Sequence, residues 1–201
     1  MARHTGPKNK LSRKVGEDLG LKTNALKVAR RLNIPPGQHG MRGRRKVSDF
    51  GVQLKEKQKL KFVYGVLEKQ LRRLYQEASR TRAATGAALL GLLERRLDNV
   101  VYRLGWASTR PAARQLVSHN HVSVNNRKIN VPSHLVTVGD VIALKAKSAN
   151  IPTVADQLQE LPTAPAWLEA KGPAGKVIRL PERDDITERI DEQLIIEFYS
   201  R

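Results

Sequence analysis

The chain has 201 residues, 37 Lys and Arg against 19 Asp and Glu, a net charge of +18 and only 4 % aromatic residues. It contains no run of about 18 apolar residues to span a bilayer, and its first residues lack the apolar stretch of a signal peptide, so a soluble, cytoplasmic protein with no membrane partner is expected. Zero cysteines exclude disulfides, thiolate metal sites and a cysteine nucleophile.

The charge is unevenly placed. Residues 1–50 hold 13 basic and 3 acidic side chains, residues 51–103 hold 12 and 5, and residues 104–150 hold 6 and 1, whereas residues 151–201 hold 6 and 10. Three quarters of the chain can therefore face a polyanion, with nucleic acid the first choice, and the acidic end is expected to pack internally or meet a basic neighbour.

In chain order, residues 1–45 read as an extended basic arm. Pro35-Pro36-Gly37 is too rich in breakers for a helix, and Arg42, Arg44, Arg45 and Lys46 crowd four cations together. Leu19, Leu21, Leu26, Val28, Leu32 and Ile34 offer some apolar anchoring, and the arm is expected to order fully only on RNA, its deletion leaving the rest of the fold intact. From about 52 to 79, Leu60, Val63, Tyr64, Leu67, Leu71, Leu74, Tyr75 and Ala78 recur on a 3.6-residue period, predicting one long helix capped by Ser48 or Asp49. Its other face, with Lys57, Lys59, Lys61, Lys69, Arg72 and Arg73, is either solvated or in contact with phosphates.

Leu89 to Leu104 form a second helical stretch ended by Gly105, and Ser108 or Thr109 caps a third that carries Pro111 in its first turn. Ala112, Leu116 and Val117 are assigned to the buried face of that helix, leaving Arg110 and Arg114 outside it. Val122–Val124 and Ile129–Val131 read as strands about an Asn125-Asn126 turn, and Val141–Leu144 as another strand. A short helix near 153–160 and a final apolar strand, Leu194–Tyr199, complete the pattern. Gly172–Lys176 lacks the spacing of a phosphate-binding loop, and His119-x-His121 offers only two of the ligands a metal needs.

Spacing i, i+4 puts the guanidinium groups of Arg110 and Arg114 about 6 Å apart on one helix face, suited to neighbouring phosphates. Gln115, His119, Asn125 and Lys128 can add hydrogen bonds at the same edge, to sugar hydroxyls or bases. Arg95 or Arg96 can instead pair with Asp98 or a glutamate, Arg103 can cap its own helix, and Asn125 can serve only the turn.

The ordered set Glu94–Gly105, Thr109-Arg110, Ala113–Val117, His119-x-His121, Val124-Asn125, Lys128, Pro132-Ser133 and Gly139-Asp140 resembles the S-four RNA-binding domain, the alpha-L motif, a helix pair packed on a small sheet. The segments Pro35–Gly40, Lys46-x-Ser48–Gly51, Tyr64–Gln70 and Leu194–Ser200 extend the resemblance over the whole chain, to the bacterial or plastid type of the small-subunit ribosomal protein S-four family. The resemblance implies an α+β fold: a basic extension (1–45), a helical domain (46–91) completed by about 180–201, an inserted RNA-binding domain (92–158) on a mainly antiparallel sheet, and a Pro-rich connecting segment (159–179). It also implies a structural component of the small ribosomal subunit and not an enzyme. Such proteins bind 16S-type rRNA in its 5′ domain at a multi-helix junction and nucleate subunit assembly. With ribosomal proteins S five and S twelve they support translational accuracy, with S three and incoming messenger RNA close by. The candidate rRNA ligands are Arg42, Arg44, Arg45, Lys46, Lys57, Arg72, Arg103, Thr109, Arg110, Arg114, Gln115, His119, Asn125 and Lys128.

Part of the family binds zinc through an N-terminal cysteine cluster; this chain has none there, so no metal, cofactor or small-molecule substrate is implied. Pseudouridine synthases and tyrosyl-tRNA synthetases carry the same module beside a catalytic domain. Here the remainder shows no nucleophile–base pair or carboxylate dyad to support one. The expected location is the cytoplasmic ribosome, or the plastid stroma for an organelle-encoded chain.

Overall fold

A computed structural model describes residues 4–40, 46–81, 83–149, 151–159 and 163–201, and the chain divides into two compact units, residues 1–86 with 188–201 and residues 87–187. Helices and a sheet share the chain, an α+β protein as the resemblance implies.

The first unit is helical: α1 (Lys8–Val15), α2 (Ala25–Ala29), α3 (Asp49–Val63), α4 (Glu68–Ala78) and, from the far end of the chain, α10 (Glu192–Ser200). Ser48 caps α3, its hydroxyl accepting the Gly51 N–H at 3.3 Å. The single helix expected over 52–79 is two. Gly65 adopts φ 62°, a left-handed conformation that costs glycine nothing, and the chain turns there before α4. Of the expected stripe, Leu60, Leu71 and Ala78 are completely buried and Val63 and Tyr64 nearly so, while Leu67, Leu74 and Tyr75 are half-buried.

The N-terminal segment differs from the extended arm expected. Leu11, Val15, Leu19, Leu21 and Val28 are all buried, α1 packs on α3, and Arg13 donates to the carbonyls of Ile34 and Pro35 at 2.9 and 3.1 Å. Local breakers ruled out a long helix but not a short one, and five of the apolar residues among them are core, whereas Leu26 is 82 % exposed and Leu32 and Ile34 are half-buried. The final apolar run is helix α10 and not a strand. Asp191 caps it, its carboxylate accepting the N–H groups of Gln193 and Leu194, and the run packs on α3 through Phe50–Phe198 and stacks Tyr199 on Tyr75 at 4.6 Å.

The second unit holds α5 (Thr85–Glu94, but for its first two residues), α6 (Leu97–Arg103), α7 (Arg110–Ser118), α8 (Ala146–Ala149), α9 (Pro152–Gln159) and strands β1 (Val122–Val124), β2 (Arg127–Lys128), β3 (Val141–Leu144), β4 (Leu168–Lys171) and β5 (Ala174–Val177). The five strands form one antiparallel sheet in the order β2-β1-β3-β5-β4. Asn125 and Asn126 at φ 50° and 62° make the tight turn the sequence predicts, and Val124 pairs directly with Arg127. The following strand is therefore Arg127–Lys128, and the expected strand Ile129–Val131 lies beyond its end. β4 and β5 lie within the stretch expected to be a Pro-rich connection, so that stretch builds sheet.

Val100 and Val101 of α6, Leu104 at its C-terminal end, and Ala113 and Val117 of α7 pack with Val122, Val124, Ile142, Leu144 and Val177 of the sheet, around the buried Trp106 and Trp167. Gly175 is required by this closeness, since a Cβ there would collide with the Leu104 side chain. No helix among the described residues is long and apolar enough to cross a membrane.

Candidate nucleic-acid interface

The α5–α6–α7 corner is organised by two buried ionic clusters. Asp98, at the start of α6, accepts from Arg96 Nη2 at 2.8 Å and Nε at 3.1 Å, and its Oδ2 also accepts from Arg114 Nη1 at 2.9 Å. Glu94 accepts from Arg103 at 2.8 and 2.9 Å and from Asn99 at 2.7 Å, and Asn99 Oδ1 in turn accepts from Arg110 Nε at 2.8 Å. The Arg110 guanidinium also lies over the Tyr102 ring, 4.5 Å from its centre.

Arg110 and Arg114 are thus 9 % and 8 % exposed, on the buried face of α7 and not outside it. The reason is angular. Positions 110, 113, 114 and 117 fall within about 100° of one another on a helix, so the two arginines share the face of Ala113 and Val117, while Ala112 and Leu116 are the half-buried flank. Arg96 pairs with Asp98, one of the alternatives the sequence offered, and Arg103 pairs with Glu94 rather than capping its own helix.

The other candidates divide by exposure. Lys46 and Arg72 in the first unit, and Gln115, His119, Asn125 and Lys128 in the second, are exposed. Arg42, Arg44 and Arg45 lie outside the described residues. Thr109 is buried, its hydroxyl accepting the Ala112 N–H at 3.3 Å as the cap of α7. Lys57 is buried as well, with Nζ 2.8 Å from Glu68 and 4.3 Å from the centre of the Phe198 ring. Glu68 also accepts from Tyr199 and Lys61. Burial alone would raise its pKa, but the bonds from Lys57, Tyr199 and Lys61 outweigh that and lower it. Lys69, Arg73, Arg127 and Lys147 are exposed cations absent from the candidate set. Arg127 sits in the two-residue strand beside Lys128, where a short, solvent-facing hairpin gives adjacent residues equal access.

Asn125 is a turn former and also a clamp: its Nδ2 donates to Asp140 at 2.8 Å and its Oδ1 accepts the Val141 N–H at 2.9 Å. Burial would raise the Asp140 pKa, but the Thr137 N–H, the Asn125 amide and the Thr137 hydroxyl hold it below the ordinary 3.8. A carboxylate whose pKa is depressed by folding stabilises the fold above its unfolded pKa and loses that contribution as pH falls through the folded value. The melting temperature of an Asp140→Ala variant should therefore lie furthest below wild type near neutral pH, with the gap closing below about pH 4. A gap that stays constant through this range would remove the clamp from the stability of the hairpin.

A helix pair packed on an antiparallel sheet, edged by exposed cations, is the architecture of S4-domain proteins, and a family model described as "S4 domain" matches residues 95–142. A second, "Ribosomal protein S4/S9 N-terminal domain", matches residues 3–94. The chain is 51 % identical to the small ribosomal subunit protein uS4 of Parabacteroides distasonis, 52 % identical to that of Akkermansia muciniphila and 50 % identical to that of Chloroflexus aurantiacus, each over the full length of both chains. It belongs to the small ribosomal subunit protein uS4 family, whose members are structural RNA-binding proteins of the ribosome and not enzymes.

Proposed function

We propose that this chain binds the 5′ domain of 16S-type rRNA at a multi-helix junction and nucleates assembly of the small subunit in the cytoplasm. Beside ribosomal proteins S five and S twelve, with S three and incoming messenger RNA near, it supports accurate decoding. The observation that carries the reading is the exposed cationic and amide edge of an S4 domain in a chain of net charge +18. Lys46, Arg72, Gln115, His119, Asn125 and Lys128 make the contacts, Arg42, Arg44 and Arg45 add to them from the adjoining segment, and Lys57, Arg103, Thr109, Arg110 and Arg114 hold the surfaces in shape, because their polar groups already bond inside the protein.

Filter binding of the chain to a 5′-domain rRNA fragment between low and moderate salt tests this. Several neutralised phosphates give a log–log slope on the order of −4 to −8. A slope near zero would overturn the electrostatic reading. Co-sedimentation of the protein with the small subunit in native lysate is the companion result expected.

A further inference from the structure

The cleft between α7 and the turn leading into α9 has features that phosphate binding leaves unused. It encloses 310 Å³, at the small end of the roughly 300–1,000 Å³ typical of ligand pockets. Its floor is apolar: Trp106 is fully buried, Val154 is 2 % exposed, and Leu116 and Ala112 are half-buried. Its rim carries Ser108, Gln115 and His119, all exposed, and no carboxylate among the described residues lines it. The His119 and His121 rings stand 6.2 Å apart at that rim, and His121 Nδ1 is held by Ser148 Oγ at 2.9 Å. Burial first, then the neighbouring His119 and Lys145, lower the His121 pKa and favour its neutral form. Residues 104–150, which supply most of the cleft, hold 6 cations and 1 anion, so the surrounding field favours a ligand attached to phosphate.

We infer that this cleft takes a single unstacked RNA base, its faces against Leu116 and the His119 ring and its edge hydrogen-bonded by Gln115 and Ser108. A flat group with two apolar faces, a polar edge and an anionic tether matches an apolar floor, an uncharged polar rim and a cationic surround, and unstacked bases are what proteins read in structured RNA. The inference rests on the RNA-binding reading above and adds to it a site that recognises a base.

Two measurements on the full chain test it. Nuclear magnetic resonance of the methyl-labelled protein, titrated with each of the four ribonucleoside 5′-monophosphates, should give saturable shifts at the Leu116, Ile151 and Val154 methyls. Ribose 5-phosphate should give none. The absence of nucleotide shifts there, or their reproduction by ribose 5-phosphate, overturns the inference. Separately, Gln115→Trp, which plugs the rim from an exposed position, and His119→Ala, which removes the stacking ring, should each weaken binding to the 5′-domain rRNA by about 10-fold, as for one lost stacked base, with an unchanged salt slope. Wild-type affinity in both variants defeats the base site and takes Gln115 and His119 out of the rRNA contacts, while rRNA binding through the remaining residues of the proposed function still stands. Failure of the wild-type chain to bind the rRNA defeats the proposed function instead, and the nucleotide titration then decides the cleft alone.

Discussion

Replacing Asp98 with alanine is expected to cost the second unit about 3–5 kcal/mol, the range for breaking a buried ion pair from one side. The carboxylate is 4 % exposed and is the only one bonded to either Arg96 or Arg114 among the described residues. Those two arginines are 3 % and 8 % exposed, so water cannot take its place without the corner opening. Arg114→Ala should cost less, about 1.5–3 kcal/mol, because Asp98 keeps both of its bonds from Arg96. Asp98→Asn, which retains an acceptor, should fall between. Denaturant unfolding followed by tryptophan fluorescence gives a clean reading, since the two tryptophans of the chain, Trp106 and Trp167, are both fully buried in the core of this unit. A loss below about 1 kcal/mol for Asp98→Ala would show that the corner tolerates two unpaired guanidinium groups and that the network does not hold it together. The double variant Arg110→Ala, Arg114→Ala, which the sequence alone presents as a pure binding mutant, is for the same reason expected to lower stability.

The second large effect concerns the N-terminal segment. Deleting residues 1–45 should abolish cooperative melting of the first unit's helices, followed by far-ultraviolet circular dichroism. The deletion removes five buried apolar side chains, Leu11, Val15, Leu19, Leu21 and Val28, and each contributes at most ~1.5–3 kcal/mol by burial relative to an extended unfolded chain. It also removes Glu17, which lies 2.6 Å from the buried Lys59 ammonium on α3, leaving that cation, among the described residues, with Glu56 3.9 Å away. A domain held by about 5–15 kcal/mol in all does not survive losses of this size. Retention of a cooperative helical transition in the truncated chain would mean that α3, α4 and α10 are sufficient and that the segment is an appendage.

What the amino-acid sequence determined by itself was whatever depends on neighbours a few residues away. The Ser48 cap, the Thr109-Arg110-Pro111 helix start, Gly105 at a helix end and the Asn125-Asn126 turn were all legible, because capping and positive φ are local chemistry. So were the net charge and the ordered motif that places the chain in its family. The tertiary structure alone decided three matters. The apolar run Leu194–Tyr199 is too short for its period to tell strand from helix; the Asp191 cap and a place on α3 make it a helix. The basic arm carries Leu11, Leu19 and Leu21 into a core that its own breakers conceal. Arg110 and Arg114 turn inward because Asp98 and Asn99 arrive from another helix to meet them. A charged side chain is buried or exposed according to whether an opposite charge or hydrogen-bond partner waits across the packing, and that partner lies 11 or 16 residues away along the chain, where no local pattern reaches.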